Sequence, residues 1–497
     1  MDDYYGETTV NPEECIEYTF SGHDGEGVLK LLCMNTELPE PIKRKIKFEA
    51  SKTEKLSNGD SIVVTVIVDE EFEKLGYTLT HNTFSITVNG LTSASDIPKD
   101  GVITTAAQLE AVLTFGDPKT DYTVKASELN MFGKTWKGLY DYSGTFDFGG
   151  CVLKNVSSPL FISVKGATVK NLVISESEIS YGLEEIEKTV DPKTGELSNP
   201  YFGTVICYAN NVTLVNVTID NSVSINTDVW KDGNIQGGVI GLVEGDRILI
   251  KDCTFNGSFK TVTWFANVGG IVGQVVSTDK NAVNVNSPEN STVLIINCAS
   301  NGKVEQNEGS EYSLPTNSVA GIVGSISNCA VVHCYNGGDV IASYSNRTAG
   351  IVGYAVDTAV ISYCINAGEV KGHTECGGIV GRTAADSSIL IHGCINIGAV
   401  KDYYSQQKAK LGGIVGMARY EQNIKYCFNL TSACEIFANG YDHKNGERII
   451  DPQDNSTHGM VTFANSMNRT SAKAIVDAME KLCPGVFKYE NETVTFK

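Results

Sequence analysis

Residues 377–400 read GGIVGRTAADSSILIHGCINIGAV, and the chain repeats this stretch in degenerate form. The repeat has a head, Gly-Gly-Ile-Val-Gly or a close variant, and a tail, Cys-x-Asn-x-Gly-x-Val. The heads lie at 237–241, 269–273, 320–324, 349–353, 377–381 and 412–416. The tail cysteines are Cys253, Cys298, Cys334, Cys364, Cys394 and Cys427. A degenerate repeat of this kind predicts a fold made of stacked units.

Spacing around the tail cysteine shows which side chains face the interior. A branched aliphatic residue always lies three positions upstream: Ile250, Ile295, Val331, Ile361, Ile391 and Ile424. Two inward positions three apart break the two-residue alternation of a strand, so we expect a bend between them. Downstream, asparagine, glycine and valine follow at two-residue intervals, which predicts a strand with one buried face.

A unit of about 30 residues built from short strands cannot bury its own apolar face and must stack on copies of itself. No stretch between the repeats has the length and periodicity of a crossover helix. The sequence therefore predicts an all-β protein whose main domain is a parallel β-helix solenoid. The aligned Asn336, Asn366, Asn396 and Asn429 would form a ladder of amide hydrogen bonds inside it, or else lie in ordinary exposed turns.

These head and tail motifs resemble the GLUG-type repeats of large bacterial cell-surface and adhesin-like proteins, some of them immunoglobulin A peptidases. The resemblance covers roughly residues 100–435 and includes the Gly144-Thr-Phe-Asp-Phe-Gly-Gly150 run. It implies a right-handed parallel β-helix at the surface of a bacterium and no particular ligand. Peptidase chemistry does not carry over, because the chain has no His-Glu-x-x-His zinc motif.

Four segments are expected along the chain: a small β-sandwich at 1–96, an N-terminal solenoid cap at 102–150, the repeats at 151–435 and a C-terminal cap at 436–497. In its Phe20-Ser-Gly-His-Asp-Gly-Glu-Gly27 and Leu56-Ser-Asn-Gly-Asp60 stretches, the first segment resembles an immunoglobulin-like spacer common in surface proteins of Gram-positive anaerobes. Residues 106–113 should form a helix covering one end of the solenoid. Residues 471–482 should form an amphipathic helix with Ile475, Met479 and Leu482 on one face, followed by two strands.

Charge and hydropathy limit the partners. Lys and Arg total 39 and Asp and Glu total 59, a net charge of −20, so nucleic acid is a poor partner. No apolar run is long enough to span a membrane, and the first residues have no signal-peptide pattern. We expect an extracellular protein, secreted or displayed on the cell surface, whose targeting and anchoring segments are absent from this sequence, and we expect a monomer without a cofactor.

The chain has 14 cysteines, and their roles differ. The tail cysteines occupy an inward column, which favours buried thiols over disulfides. Zinc is a poor alternative because Cys329 with Cys334, or His373 with Cys376, supplies only part of a ligand set. Cys15 and Cys33 would lie opposite each other across a hairpin, so they form either a disulfide or two separate core cysteines.

Function is expected in the segments that vary between repeats, since the repeated residues are needed for packing. Loops at one position of a solenoid emerge on one face. They carry aromatic side chains suited to stacking on sugar rings or anchoring a protein partner: Trp230, Trp264, Tyr312, Tyr344, Tyr403 and Tyr404. These rings could instead only pack the loops onto the domain.

An enzymatic alternative depends on two acidic residues. Asp339 and Glu369 each lie five residues after a tail cysteine, so they should project from neighbouring strands about 4.8 Å apart. That separation approaches the carboxylate spacing of a retaining glycosidase. Against it, Lys303 and Ala399 occupy the same position in adjacent repeats. The sequence thus predicts an adhesin-like protein that binds a glycan or a host surface protein, with a polysaccharide-active enzyme (hydrolase or lyase) or a passive stalk as alternatives.

Overall fold

The computed structural model describes residues 8–32, 38–182, 201–229, 234–263, 266–307, 317–343, 345–384, 387–404, 410–418, 422–430, 440–441, 448–449, 461–464, 467–469, 471–482, 484–491 and 493–496. The protein is all-β, and in its described part four sheets are entirely parallel, three of them formed by the repeats. Contacts between residues divide the chain into two compact units.

The N-terminal unit comprises residues 1–98, 106–115 and 133–136. Its strands are Thr8–Val10, Glu17–Ser21, Val28–Leu32, Ile46–Ala50, Ser61–Val68, Tyr77–Leu79 and Thr83–Thr87. Three of them form an antiparallel sheet in the order Ile46–Ala50, Ser61–Val68, Thr83–Thr87. Short helical turns lie at Pro12–Cys15, Glu40–Lys43, Glu70–Lys74 and Ala94–Asp96. Cys15 is buried in this unit, and Cys33 lies outside the described residues.

The helix expected at 106–113 is present as Ala106–Phe115, and its contacts group it with the N-terminal unit. Its buried Glu110 explains this grouping. The carboxylate is 2.9 Å from the Lys134 ammonium and accepts hydrogen bonds from the Thr92 hydroxyl and the Thr135 amide. A buried carboxylate needs such partners, so these contacts tie the helix to both other segments of the unit.

The second unit contains the repeats, and each complete repeat supplies strands to all three parallel sheets. One example runs from Arg347–Ala349 through Val352–Ser362 and Ile365–Asn366 to Val370–Gly372. The strand before the head belongs to what we call the head sheet: Tyr201–Gly203, Ile235–Gly237, Asn267–Gly269, Ser318–Ala320, Arg347–Ala349, Glu375–Gly377 and Lys410–Gly412. The strand after the tail belongs to the lateral sheet: Glu178–Gly182, Ser224–Val229, Ser258–Thr263, Lys303–Asn307, Val340–Ala342, Val370–Gly372 and Val400–Asp402.

The remaining strands of the repeats join a 23-stranded long sheet. Its strands are Val102–Ile103, Tyr122–Val124, Glu128–Asn130, Thr145–Lys154, Phe161–Ser175, Ile206–Ile219, Ile240–Lys251, Thr254–Phe255, Val272–Val276, Val293–Ile296, Ala299–Ser300, Val323–Val332, Tyr335–Asn336, Val352–Ser362, Ile365–Asn366, Val380–Thr383, Ser388–His392, Ile395–Asn396, Val415–Met417, Gln422–Lys425, Phe428–Leu430, Val461–Ala464 and Met467–Arg469. Partner residues come from successive repeats, as in Val331, Ile361 and Ile391.

The predicted inward column and its bend are confirmed. Ile361 and Cys364 are both fully buried, and Tyr363 between them has a φ of 53°. Asn297 and His333 occupy the same position with φ values of 55° and 52°. A residue with a left-handed backbone conformation shifts the alternation of side chains by one position. The cysteine, three residues after the aliphatic side chain, therefore faces the interior as well.

The predicted asparagine ladder is also confirmed. The Asn336 amide nitrogen donates to Asn366 Oδ1, Asn366 to Asn396 and Asn396 to Asn429, each at 2.8 Å. All four side chains are fully buried. The ladder therefore satisfies polar groups inside the stack, and these residues are not exposed turn residues.

The ladder explains the second glycine of the head. A Cβ atom on Gly350 would lie 2.2 Å from Asn366 Oδ1, and one on Gly378 would lie 2.3 Å from Asn396 Cγ. Any larger side chain would displace the amide of the same repeat. The second glycine of the head and the asparagine of the tail are thus in contact within each of these repeats.

The tail cysteines are buried thiols, each with its sulfur 3.4–3.5 Å from the carbonyl oxygen two residues upstream, as in Cys364 to Ser362. Burial raises the pKa of the Cys253 and Cys364 thiols well above the usual value. They act as small core side chains that also cover the carbonyl at the bend.

The C-terminal segment packs against the side of the stack. Helix Ala472–Leu482 and the hairpin Phe487–Glu490 with Thr493–Phe496 cover Ile365, Ile395 and Phe428. Ile475 and Met479 are buried as expected, but Leu482 is 43% exposed, and Val476 is buried in its place. The prediction for Leu482 was wrong because the buried face of the helix is the one that contacts Ile365, Ile395 and Phe428, and Leu482 lies outside that face. In the described part of the chain, no helix is long and apolar enough to cross a membrane.

Candidate functional site

The lateral sheet carries the candidate site, because the variable loops begin where its strands end. Its inward column is apolar and buried: Ile179, Ile225, Phe259, Val304, Val340, Val370 and Val400. The next residue of each strand points the opposite way. We call this outward set the lateral column: Ser180, Asn226, Lys260, Glu305, Ile341, Lys371 and Lys401.

Four of the six predicted aromatic residues, Trp230, Trp264, Tyr312 and Tyr344, lie outside the described residues. Two of them directly follow strands of the lateral sheet. Strand Ser224–Val229 ends one residue before Trp230, and strand Ser258–Thr263 ends one residue before Trp264.

Tyr403 and Tyr404 are described, and they form an aromatic cluster after the last lateral strand. Their ring centroids are 5.1 Å apart, and the Tyr404 ring also contacts the His373 ring at 5.1 Å. The Lys371 ammonium lies 5.1 Å from the Tyr403 ring centroid. Lys371 and His373 come from the preceding repeat, so the cluster exists only in the stacked structure.

Backbone hydrogen bonds hold this aromatic cluster in place. The Tyr403 amide donates to the Gly372 carbonyl at 2.7 Å, and the Tyr404 amide donates to Asp402 Oδ1 at 3.0 Å. Tyr404 remains 42% exposed. Two fixed tyrosine rings, one exposed and the other beside an ammonium group, are suited to stacking on a sugar ring or filling a pocket of a protein partner.

The two candidate carboxylates lie on neighbouring strands, as the register of Val340 with Val370 requires. Both have structural partners. Glu369 Oε2 is 2.5 Å from the Lys401 ammonium, and Asp339 Oδ1 accepts a hydrogen bond from the Glu369 amide at 3.1 Å. Asp339 is exposed, and Glu369 is half-buried. The arrangement lacks the desolvated acid that glycoside hydrolysis requires.

The zinc alternative is not supported by the geometry of its residues. His373 packs on Tyr404, whereas Cys376 lies in the core with Val370 and Val400. Cys334 is buried in the inward column. Among the described residues, no three His, Cys, Asp or Glu side chains are placed to hold a metal ion.

Sequence reasoning missed side-chain pairs that flank three of the heads. In each pair, one residue lies in the head sheet and the other lies seven residues later in the long sheet. The Arg347 guanidinium carbon lies 3.8 Å from the Tyr354 ring centroid, and Arg382 Nη1 lies 3.4 Å from Glu375 Oε2. Asn267 donates to Gln274 at 2.9 Å in the same way. The constant seven-residue spacing around Gly-Gly-Ile-Val-Gly is the signal that would have revealed them.

A second missed feature is a row of rings under the terminal hairpin. Tyr363 contacts the His333 ring at 5.4 Å and the His392 ring at 5.2 Å, and Phe496 contacts His333 at 5.7 Å. Burial lowers the pKa of both histidines below the usual value. Neutral imidazoles therefore pack here as aromatic side chains that support the hairpin.

Comparisons with known proteins give a limited result. No family model matches the chain, and no curated protein matches it. A crystal structure from Bacteroides ovatus, described as a candidate immunoglobulin A1 protease, is 14% identical over 80% of this chain and 91% of that chain, with a TM-score of 0.33. A structure named IgA1 Protease is 12% identical, with a TM-score of 0.34, over 91% of this chain and 27% of that chain.

Proposed function

We propose that the chain is a secreted or surface-displayed bacterial protein, adhesin-like and monomeric, that binds a glycan or a host surface protein through its lateral face. The exposed cluster of Tyr403 and Tyr404 beside Lys371 carries this proposal. It lies where the variable loops emerge, and the packing of the repeats does not require it. A Gram-positive source is part of the same proposal, supported by the resemblance of the N-terminal segment.

The proposal includes the architecture. We infer a right-handed parallel β-helix, with one repeat per turn. Support comes from the order of strands within a repeat and from the parallel, in-register pairing of successive repeats in the head, lateral and long sheets. The terminal helix and hairpin would complete it by covering one side of the last turns.

Binding is tested by capture of the intact protein on a panel of immobilised glycans, mucins and host surface proteins. Replacing Tyr404 by alanine is expected to weaken capture by roughly tenfold to a hundredfold, because an anchoring aromatic side chain typically contributes about 2 kcal/mol. Tyr18→Ala is the matched control, since Tyr18 is 41% exposed but lies in the N-terminal unit. Equal capture by both variants would contradict the proposal.

The enzymatic alternative is tested on the same panel by assaying new reducing or unsaturated ends. Asp339→Asn and Glu369→Gln are expected to leave capture unchanged, and the wild-type protein is expected to release no product. Both carboxylates have structural partners at the surface, and their amides keep the size of the side chains. Product formation by the wild type that disappears in both amide variants would make the protein a polysaccharide-active enzyme.

A further inference from the structure

A groove lined by polar and apolar side chains lies at the opposite end of the lateral sheet from the tyrosine cluster. Its volume is about 440 Å³, and strands Glu178–Gly182, Ser224–Val229 and Ser258–Thr263 line it. Ser180, Asn226 and Lys260 form one row across the three strands. Asp228 and Val262 lie two residues further along the last two of these strands.

Polar groups in this groove are available to a ligand. The Ser180 hydroxyl and the Asp228 carboxylate are exposed and make no hydrogen bond or ion pair with described residues. Lys260 is exposed and in no ion pair with them. The hydrogen bond from Lys303 is the main cause of the lowered pKa of Glu305, and the charge of Lys260 adds a smaller effect. The Asn226 amide nitrogen donates to the Ser224 hydroxyl, which leaves the Asn226 oxygen able to accept. A hydroxyl, an amide, a carboxylate and an ammonium group side by side can donate to and accept from sugar hydroxyls.

The groove and the tyrosine cluster belong to one continuous surface. In the order of the lateral sheet, four strand spacings separate strand Ser258–Thr263, the groove strand nearest to the cluster, from strand Val400–Asp402, which leads into Tyr404. This is a distance of roughly 19 Å. The lateral column runs between them through Glu305 and the half-buried Ile341. One strand spacing is close to the length of one pyranose residue in an extended chain, so successive sugars can meet successive strands.

We propose that the lateral sheet binds a linear polysaccharide in an extended ribbon conformation, running along the lateral column from the groove to Tyr404. This inference rests on the proposed function and names the ligand class of the same face. Ser180, Asn226, Asp228 and Lys260 hydrogen-bond the hydroxyl groups at one end, and Tyr404 stacks on a sugar ring at the other. The column between them is mostly polar, with Ile341 as its one apolar side chain. That favours a polysaccharide over a protein partner, which would need a large apolar anchor site.

Two linked subsites make affinity depend on ligand length. A short oligosaccharide occupies one subsite, whereas a chain that spans both gains the second contact at high effective concentration. The span of roughly 19 Å corresponds to about five sugar residues. Affinity should therefore rise steeply up to about five or six residues and then level off.

The experiment measures binding of the intact protein to β-1,4-linked oligomers of glucose, N-acetylglucosamine, mannose and xylose, each from two to eight residues long. In at least one series, hexamers are expected to bind at least about tenfold more tightly than dimers. The double variant Asp228→Ala, Lys260→Met should lose this length dependence and bind hexamers like dimers. Lys251→Met, an outward lysine of the long sheet, should retain it.

Several outcomes separate this inference from the proposed function. If binding does not depend on ligand length but is abolished by Tyr404→Ala, the inference of an extended binding site is wrong. The proposed aromatic site would still be supported. Capture of only a protein partner, unaffected by the groove variant, would overturn the polysaccharide ligand. Absence of binding by every series at millimolar concentration would also overturn it. Length-dependent binding that the groove variant abolishes would establish the inference.

Discussion

Ile361→Asp is expected to leave the repeat unit unfolded, with no cooperative thermal transition and a circular dichroism spectrum that has lost its β signal. Ile361 is fully buried between Val331 and Ile391 of the neighbouring repeats. An unpaired carboxylate in such a position typically costs several kcal/mol, a large part of the roughly 5–15 kcal/mol that stabilises a domain.

A matched control separates the effect of position from the effect of the substitution. Ile341→Asp makes the same change on the outward face of a lateral strand, directly after the inward Val340. This variant should fold with a melting temperature close to that of the wild type. A soluble Ile361→Asp protein with an unchanged transition would show that the register of the repeats is wrong.

The asparagine ladder should be the second most sensitive feature. Asn366 accepts from Asn336 and donates to Asn396 and to the Gly368 carbonyl, at 2.8, 2.8 and 3.1 Å. Asn366→Leu keeps the size of the side chain but leaves buried partners unsatisfied on both sides. Each unsatisfied group costs about 1–3 kcal/mol, so we expect a loss of at least about 3 kcal/mol in the free energy of unfolding.

Asn301→Leu provides the comparison for this substitution. The Asn301 amide nitrogen also bonds an asparagine of the adjacent repeat, Asn256 Oδ1, at 2.9 Å, but on the exposed surface. Water can replace that bond, so the change should stay within about 0.5 kcal/mol. Chemical denaturation of both variants measures the difference. Equal effects would mean that burial does not determine the contribution of the ladder.

The interior of the repeats could be predicted because its spacing has a direct physical cause. Positions two apart after Cys364 alternate between faces, and the three-residue gap before it requires a bend. The residue that makes this bend, Tyr363 in one repeat and Asn297 in another, was not predicted, since most residue types can be forced into the left-handed region at some cost. The role of Gly350 was also hidden, because its contact with Asn366 joins the two ends of the motif.

For the candidate site, the sequence supplied the two tyrosines that the structure describes but not the residues that contact them. The sequence places Tyr403 and Tyr404 in a variable loop, but their partners Lys371 and His373 belong to the preceding repeat. Likewise, the helical spacing of apolar residues predicted that Leu482 is buried. The helix instead buries Val476 against Ile365, Ile395 and Phe428. Contacts between residues of different repeats depend on how successive repeats are placed against each other. The spacing of residues within one repeat does not specify this placement.

Hydroxyl-radical footprinting with and without a captured glycan tests the central claim most directly, because it reports the solvent exposure of individual side chains. Tyr404 and Tyr18 start with nearly equal exposure, 42% and 41%. If the lateral sheet is the binding surface, bound glycan will protect Tyr404 and leave the oxidation of Tyr18 unchanged. Unchanged oxidation of Tyr404 in the saturated complex would contradict the account.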